Sequence, residues 1–225
     1  MAQYTQGRWN GKIISGAGNE SLTYADSRYS PTAGSDYLWK DAPILAALCD
    51  PKIAFVERND FNAVGDYMVS APADWVSTTI TGSPTTAIAT ATNIRNGFLK
   101  TDTVATTSGQ GKGEQRATFP FAVAASKDIW FDASFLITDV VNSQHFMGLA
   151  IADTTLIAGI VDGIHFLKAD GAATMIARIV ASSTVTSSAA IATLVNNTIV
   201  RVGFHVVSNT RVDFYVNNVK VASST

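Results

Sequence analysis

Several groups of side chains have types that could do chemistry. Enzymes that cleave sugars between carboxylates hold the two groups about 5–5.5 Å apart. In the C-terminal half the nearest approach to such a pair is Asp128 with Asp132, because the three glutamates, Glu20, Glu57 and Glu114, all lie upstream. Four residues separate those aspartates, and Asp128 falls where a strand begins, so strand-end and solvent-face charges are expected. His145, His165 and His205 fall on or beside three different strand patterns. A metal would need them on one face with convergent nitrogens, and ordinary strand histidines are the expectation. Asp153, Asp162 and Asp170 lie in turn-like segments, where carboxylates could hold calcium but more commonly bond the local backbone.

Other reactive patterns are incomplete. Gly109-Gln110-Gly111-Lys112-Gly113 is glycine-rich but lacks the Gly-Lys-Ser/Thr ending and following helix of a phosphate loop, so a mobile connector is expected. Hydroxyls are abundant, yet no Gly-x-Ser-x-Gly elbow occurs. Cys49 is the single cysteine, which excludes an intrachain disulfide and a cysteine-based metal cluster. Exposed aromatic rings beside amides can stack on sugars, and Trp130, Tyr215 and Asn217 are the candidates for glycan contacts. Packing remains the expected role of Trp130.

The elements that would carry these residues divide the chain near residue 120. All six prolines, Pro31 to Pro120, lie before that point, and proline is excluded from central strands. The first forty residues are glycine-rich and show no sustained period, which reads as an extended arm. Its aromatics, Tyr4, Trp9, Tyr24, Tyr29, Tyr37 and Trp39, each bring about 150–250 Å² of apolar surface that is poorly left wet. The arm is therefore expected to lie against its own sandwich or another subunit, as an anchor spanning residues 1–75.

Within that anchor, Asp41-Ala42-Pro43 followed by good helix formers and Pro51 predicts a short helix near 42–49. Lys52 to Glu57 reads as a strand. Residues 76–114 are rich in Thr, Ser and Gly, as either edge strands or a connector.

From residue 115 to 225 the signal is period 2. Ile129, Phe131, Ala133, Phe135 and Ile137 alternate with Trp130, Asp132, Ser134, Leu136 and Thr138, which makes one face wholly apolar. Strand patterns follow at Phe146–Ala152, Gly163–Lys168, Thr174–Val180, Thr198–Val207 and Arg211–Val216. Ser208-Asn209-Thr210 and Asn217-Asn218 sit between strands, the latter suited to a type I′ turn. Many short strands and no helix long enough to cross over predict a mostly β, antiparallel β-sandwich.

The stretches Asp128–Asp139, Phe146–Leu149 and Val212–Val219 resemble the concanavalin-like or laminin-G-like jelly roll, in the versions found in structural proteins of tailed-bacteriophage particles with a long N-terminal arm. The resemblance covers about half the chain. It implies a jelly-roll β-sandwich and a non-enzymatic virion protein, a capsid decoration or accessory component made in the host cytoplasm. Its implied partners are capsid or tail subunits and further copies of itself, with no cofactor. The alternatives are a carbohydrate-binding module for host-surface glycan and, disfavoured by the missing glutamates, a polysaccharide-degrading enzyme.

Composition is consistent with these readings. Hydrophobic residues make up 47% and charged residues 15%, with a net charge of −2. The chain has no clustered basic footprint of the kind that neutralises phosphates, so no nucleic-acid partner is expected. No stretch reaches the roughly 18 apolar residues of a membrane helix, and the N-terminus lacks a basic-then-apolar signal. Synthesis and folding in a cytoplasm, without a membrane partner, are the expectation.

Overall fold

The computed structural model describes residues 6–9, 12–15, 38–39, 42, 75–89, 98–102, 109–116, 121–151 and 159–225. Among these residues there are strands and no helix. Three antiparallel pairs come first: β1 (Gln6–Trp9) with β2 (Lys12–Ser15), β3 (Trp75–Thr81) with β6 (Gly111–Arg116), and β4 (Thr85–Ala89) with β5 (Phe98–Asp102). Eight strands follow: β7 (Ile129–Phe135), β8 (His145–Ala150), β9 (Gly163–Lys168), β10 (Thr174–Ala181), β11 (Thr184–Thr193), β12 (Val200–Val207), β13 (Arg211–Val216) and β14 (Val219–Ser224).

These eight make two four-stranded antiparallel sheets, ordered β11-β10-β9-β8 and β14-β13-β12-β7. The chain lays down β7, crosses to build β8 through β11 as a meander, then returns and places β12 beside β7. The alternation read from sequence decides which side faces inward. Val200, Val202, Phe204 and Val206 of β12, Val212 and Phe214 of β13, and Ile129 of β7 form one apolar cluster with Ile164, Phe166, Met175 and Ala177 of the opposite sheet. Phe166 meets Phe204 at 6.2 Å between ring centroids and Phe214 at 5.7 Å. The shared core makes the arrangement sandwich-like.

Some expectations change. The strand expected to run through Ile137 ends at Phe135, although Ile137 is still buried in the core. The glycine-rich run at 109–113, expected to be a mobile connector, instead leads into β6. There Gly113 pairs with Thr78 and Lys112 with Thr79, because a threonine-rich partner offers a ladder that glycine does not forbid. Among the described residues the Thr-rich stretch contributes β3 and β4. Neither the short helix near 42–49, apart from Ala42, nor the strand at 52–57 lies within the described residues. β11 has no counterpart among the strands that the sequence predicts.

The silence of the sequence at β11 has a physical cause. β10 and β11 are joined at Ser182 and Ser183, whose φ values of 48° and 65° are left-handed, as both central residues of a type I′ hairpin require. Serine rarely takes that conformation, so no Asn-Gly type of signal marks the turn. Replacing Ser183 with glycine removes a side-chain strain of about 1–2 kcal/mol at the expense of some unfolded-chain entropy. We expect S183G to raise stability by about 0.5 kcal/mol, read as a higher urea midpoint with an unchanged slope.

Candidate functional site

Side chains of the β14-β13-β12-β7 sheet that point away from the core gather most of the chemistry-bearing residues. Register places Trp130 of β7 opposite His205 of β12, and His205 opposite Asp213 of β13. The adjacent row holds Asp132, Gly203, Tyr215 and Lys220. In an ordinary antiparallel sandwich this outward face would be wet. Here Gly203, His205, Asp213 and Tyr215 are all buried.

Part of what covers the face comes from the N-terminal arm. Leu38 is only 2% exposed, and its Cδ2 occupies the space that a side chain at residue 203 would need. The indole Nε1 of Trp39 donates to Asp132 Oδ2 at 3.4 Å. Glycine at 203 is thus what lets the arm approach the sheet. A methyl group there would meet Leu38 and also sit 2.6 Å from the backbone oxygen of Phe131, which cannot swing aside. We expect G203A to cost about 1–3 kcal/mol, the usual range for overpacking, measured by chemical denaturation.

The aspartates of this face each have cationic or hydrogen-bonding partners. Arg201 Nε donates to both oxygens of Asp132, at 2.8 and 3.1 Å, and Nη2 adds a further bond to Oδ2, a forked arrangement suited to guanidinium and carboxylate. His205 stacks on Trp130 with 4.6 Å between centroids and 13° between planes. Its Nε2 lies 3.1 Å from Asp128 Oδ2. Asp128 also accepts from the Ser208 amide at 3.0 Å, which ties the β12–β13 turn to the start of β7. Asp213 accepts from Lys220 at 3.0 Å, Arg211 at 3.1 Å and the Ser223 hydroxyl. Burial alone would raise its pKa, but the hydrogen bonds from Ser223 and Lys220 and the two positive charges outweigh that and hold the carboxyl below its ordinary range.

This arrangement bears on each candidate from the sequence. Asp128 and Asp132 are both engaged by separate cationic or ring partners, and four strand residues correspond to about 13 Å along the chain. That backbone spacing is too long for the close carboxyl pair of a retaining glycosidase, about 5–5.5 Å. Trp130 is half-buried, and His205 covers one of its ring faces. Tyr215 is 5% exposed. Asn217 serves the β13–β14 turn: its Oδ1 accepts from the Arg201 amide at 3.1 Å and its own amide donates to Arg201 O at 2.8 Å. The three suggested glycan contacts therefore do not converge on one open platform.

The histidines are dispersed. His205 belongs to one sheet, while His145 and His165 lie in the other, on adjacent strands but on opposite faces, as the pairs His145–Lys168 and Gly148–His165 show. Among the described residues no three His, Cys, Asp or Glu side chains group as metal ligands. Asp162 Oδ1 accepts from the Ser182 amide at 2.8 Å, a turn role. Asp170 sits in the 170–171 turn, and Asp153 lies outside the described residues. So do Tyr4, Tyr24, Tyr29, Tyr37, Cys49, Glu20 and Glu57; Trp9 falls in β1.

The buried members of this face escape sequence reasoning. Leu38 is hidden when the arm is judged by its aromatics alone. Asp213 and His205 carry the pattern of outward residues, and the partners of Asp213 could be found by matching its charge with Arg211 on β13 and Lys220 on β14. No helix among the described residues is long and apolar enough to cross a membrane. Neither a protein-family model, nor a curated protein, nor a solved structure matches the chain.

Proposed function

We propose that this chain is a non-enzymatic structural protein of a tailed-bacteriophage particle, a capsid decoration or accessory component built on a concanavalin-like jelly-roll sandwich. Its N-terminal arm anchors it to neighbouring capsid or tail subunits and to further copies of itself. One observation carries this reading. The arm at Leu38 and Trp39 is seated on the sandwich, which gives the preceding residues a fixed point of departure from a rigid body. A segment held at one end and rich in aromatics reaches a neighbour at little entropic cost. The commitment of Asp128, Asp132 and Asp213 to ion pairs or hydrogen bonds further favours contact over catalysis.

Removing residues 1–37 tests the reading while leaving Leu38 and Trp39 in place. The truncated protein is expected to keep the melting temperature of the sandwich and to be lost from purified assembled particles. Incorporation at the full-length copy number would overturn the anchoring role.

A further inference from the structure

We propose that His165 and Arg178 together form a binding site for a small monocarboxylate on the outer face of the β8–β11 sheet. The two residues are direct cross-strand partners on β9 and β10, which sets their Cβ atoms about 4.5–5.5 Å apart. Their neighbours Phe166 and Ala177 belong to the core, so His165 and Arg178 share the opposite face. His165 Nδ1 and Arg178 Nε are both buried, and neither has a hydrogen-bond partner among the described residues. Buried polar groups without a partner are rare in folded proteins, and an ion is one recurrent explanation.

The contrast with the other sheet is direct. Arg201 and Arg211 are each paired with an aspartate, whereas Arg178 has no carboxylate beside it among the described residues. A half-buried guanidinium without a counter-charge is costly to keep, and a bound anion supplies that charge.

The chemistry of the donors selects the ligand. Burial, and then the charge of Arg178, bring the His165 imidazole down to about pKa 4, so at neutral pH it donates one N–H and carries no charge. The site then holds a single positive charge and two N–H donors on adjacent strands. A carboxylate matches this with one negative charge and two oxygens, one for each donor. A phosphate dianion would bring more charge and more acceptors than the pair can satisfy. His165 is 2% exposed, and the Phe146 ring lies 4.5 Å from its own, so the ligand is of formate or acetate size and not a protein side chain.

The full-length chain and R178Q are titrated with sodium formate and, in parallel, with sodium chloride at equal ionic strength, while the melting temperature is followed. For the wild type, formate should raise it saturably, with half-saturation at about 1–10 mM given the few heavy atoms of the ligand, and chloride should not. R178Q should lose the formate effect. Equal rises in the two salts, or a formate effect retained in R178Q, overturn the site. Should R178Q fail to fold, isotope-labelled formate observed by NMR with the wild type decides. Saturable line broadening reversed by unlabelled acetate supports the site, and lines unaffected by protein overturn it.

Discussion

Phe204→Ala is expected to destabilise the protein by about 3–5 kcal/mol, the range for removing a buried aromatic. Phe204 has no exposed surface and sits where the two sheets meet. It stacks on Phe131 at 5.0 Å and approaches Phe166 and Phe214 at 6.2 Å each. Neighbouring strands are locked by their ladders, so the space left by the ring cannot collapse. Against a total stability of about 5–15 kcal/mol, the loss leaves a large unfolded fraction at mild urea. A shift in urea midpoint worth less than about 1 kcal/mol would fall below the cost of removing a well-packed ring and would mean that the sheets do not interlock at this residue.

Acidification produces the second large effect. Burial brings the His145 and His165 imidazoles down to about 4 in the folded protein, with Lys168 adding to the effect on the first and Arg178 on the second. Unfolded, each titrates near 6.5. Between those values the unfolded chain takes up protons that the folded chain refuses, so stability is full above about pH 6.5 and falls as pH is lowered towards 4. Below that the loss levels off. The expected loss is about 2–3 kcal/mol per histidine, because each tenfold drop in proton affinity is worth about 1.4 kcal/mol, with the lower figure for His145, which is only half-buried and so partly screened by solvent.

The carboxylates act elsewhere on the pH scale. Asp139 is held low by hydrogen bonds from the side chain and backbone of Asn142, and Asp213 by its cluster. Their contributions are complete above the ordinary carboxylate value and disappear only below it, so they do not mimic the histidine window. Urea titrations at about pH 7, 5.5 and 4, spanning the folded and unfolded histidine values, measure the effect in carboxylate-free buffer. A variant with both His145→Gln and His165→Gln should show a flat profile across that range. A wild-type profile that is already flat would mean the imidazoles are solvated.

The all-β character and the inward faces of β7 and β12 are legible in the sequence because one rule, side chains alternating at every step, governs both. The bounds of β9 are legible to the residue, since Gly163–Lys168 is the strand both in the sequence reading and in the structure. Legibility fails where the alternation meets a second cover. Arg201, Gly203 and His205 read as a wet face, but a sequence does not show that Leu38, far upstream in the arm, packs against Gly203. It fails again at β11, whose residues are mostly exposed at a sheet edge, so no apolar face had to be written into Thr184–Thr193. Lys168 is a third case. Its charge suggests solvent, yet the residue is buried and its ammonium donates to Ser143 O and Oγ and to Val141 O, pinning the loop before β8. No local pattern announces such a long-range bond.

The seat of the arm on the outer face of the β14-β13-β12-β7 sheet is the contact on which the anchoring role rests, and NMR observes it directly. With the leucine methyl groups labelled, cross-relaxation should appear between the Leu38 methyls and the Gly203 α-protons, and should vanish in L38A while the core methyl signals persist. A folded sample in which Leu38 shows no cross-relaxation to Gly203 would contradict that seating.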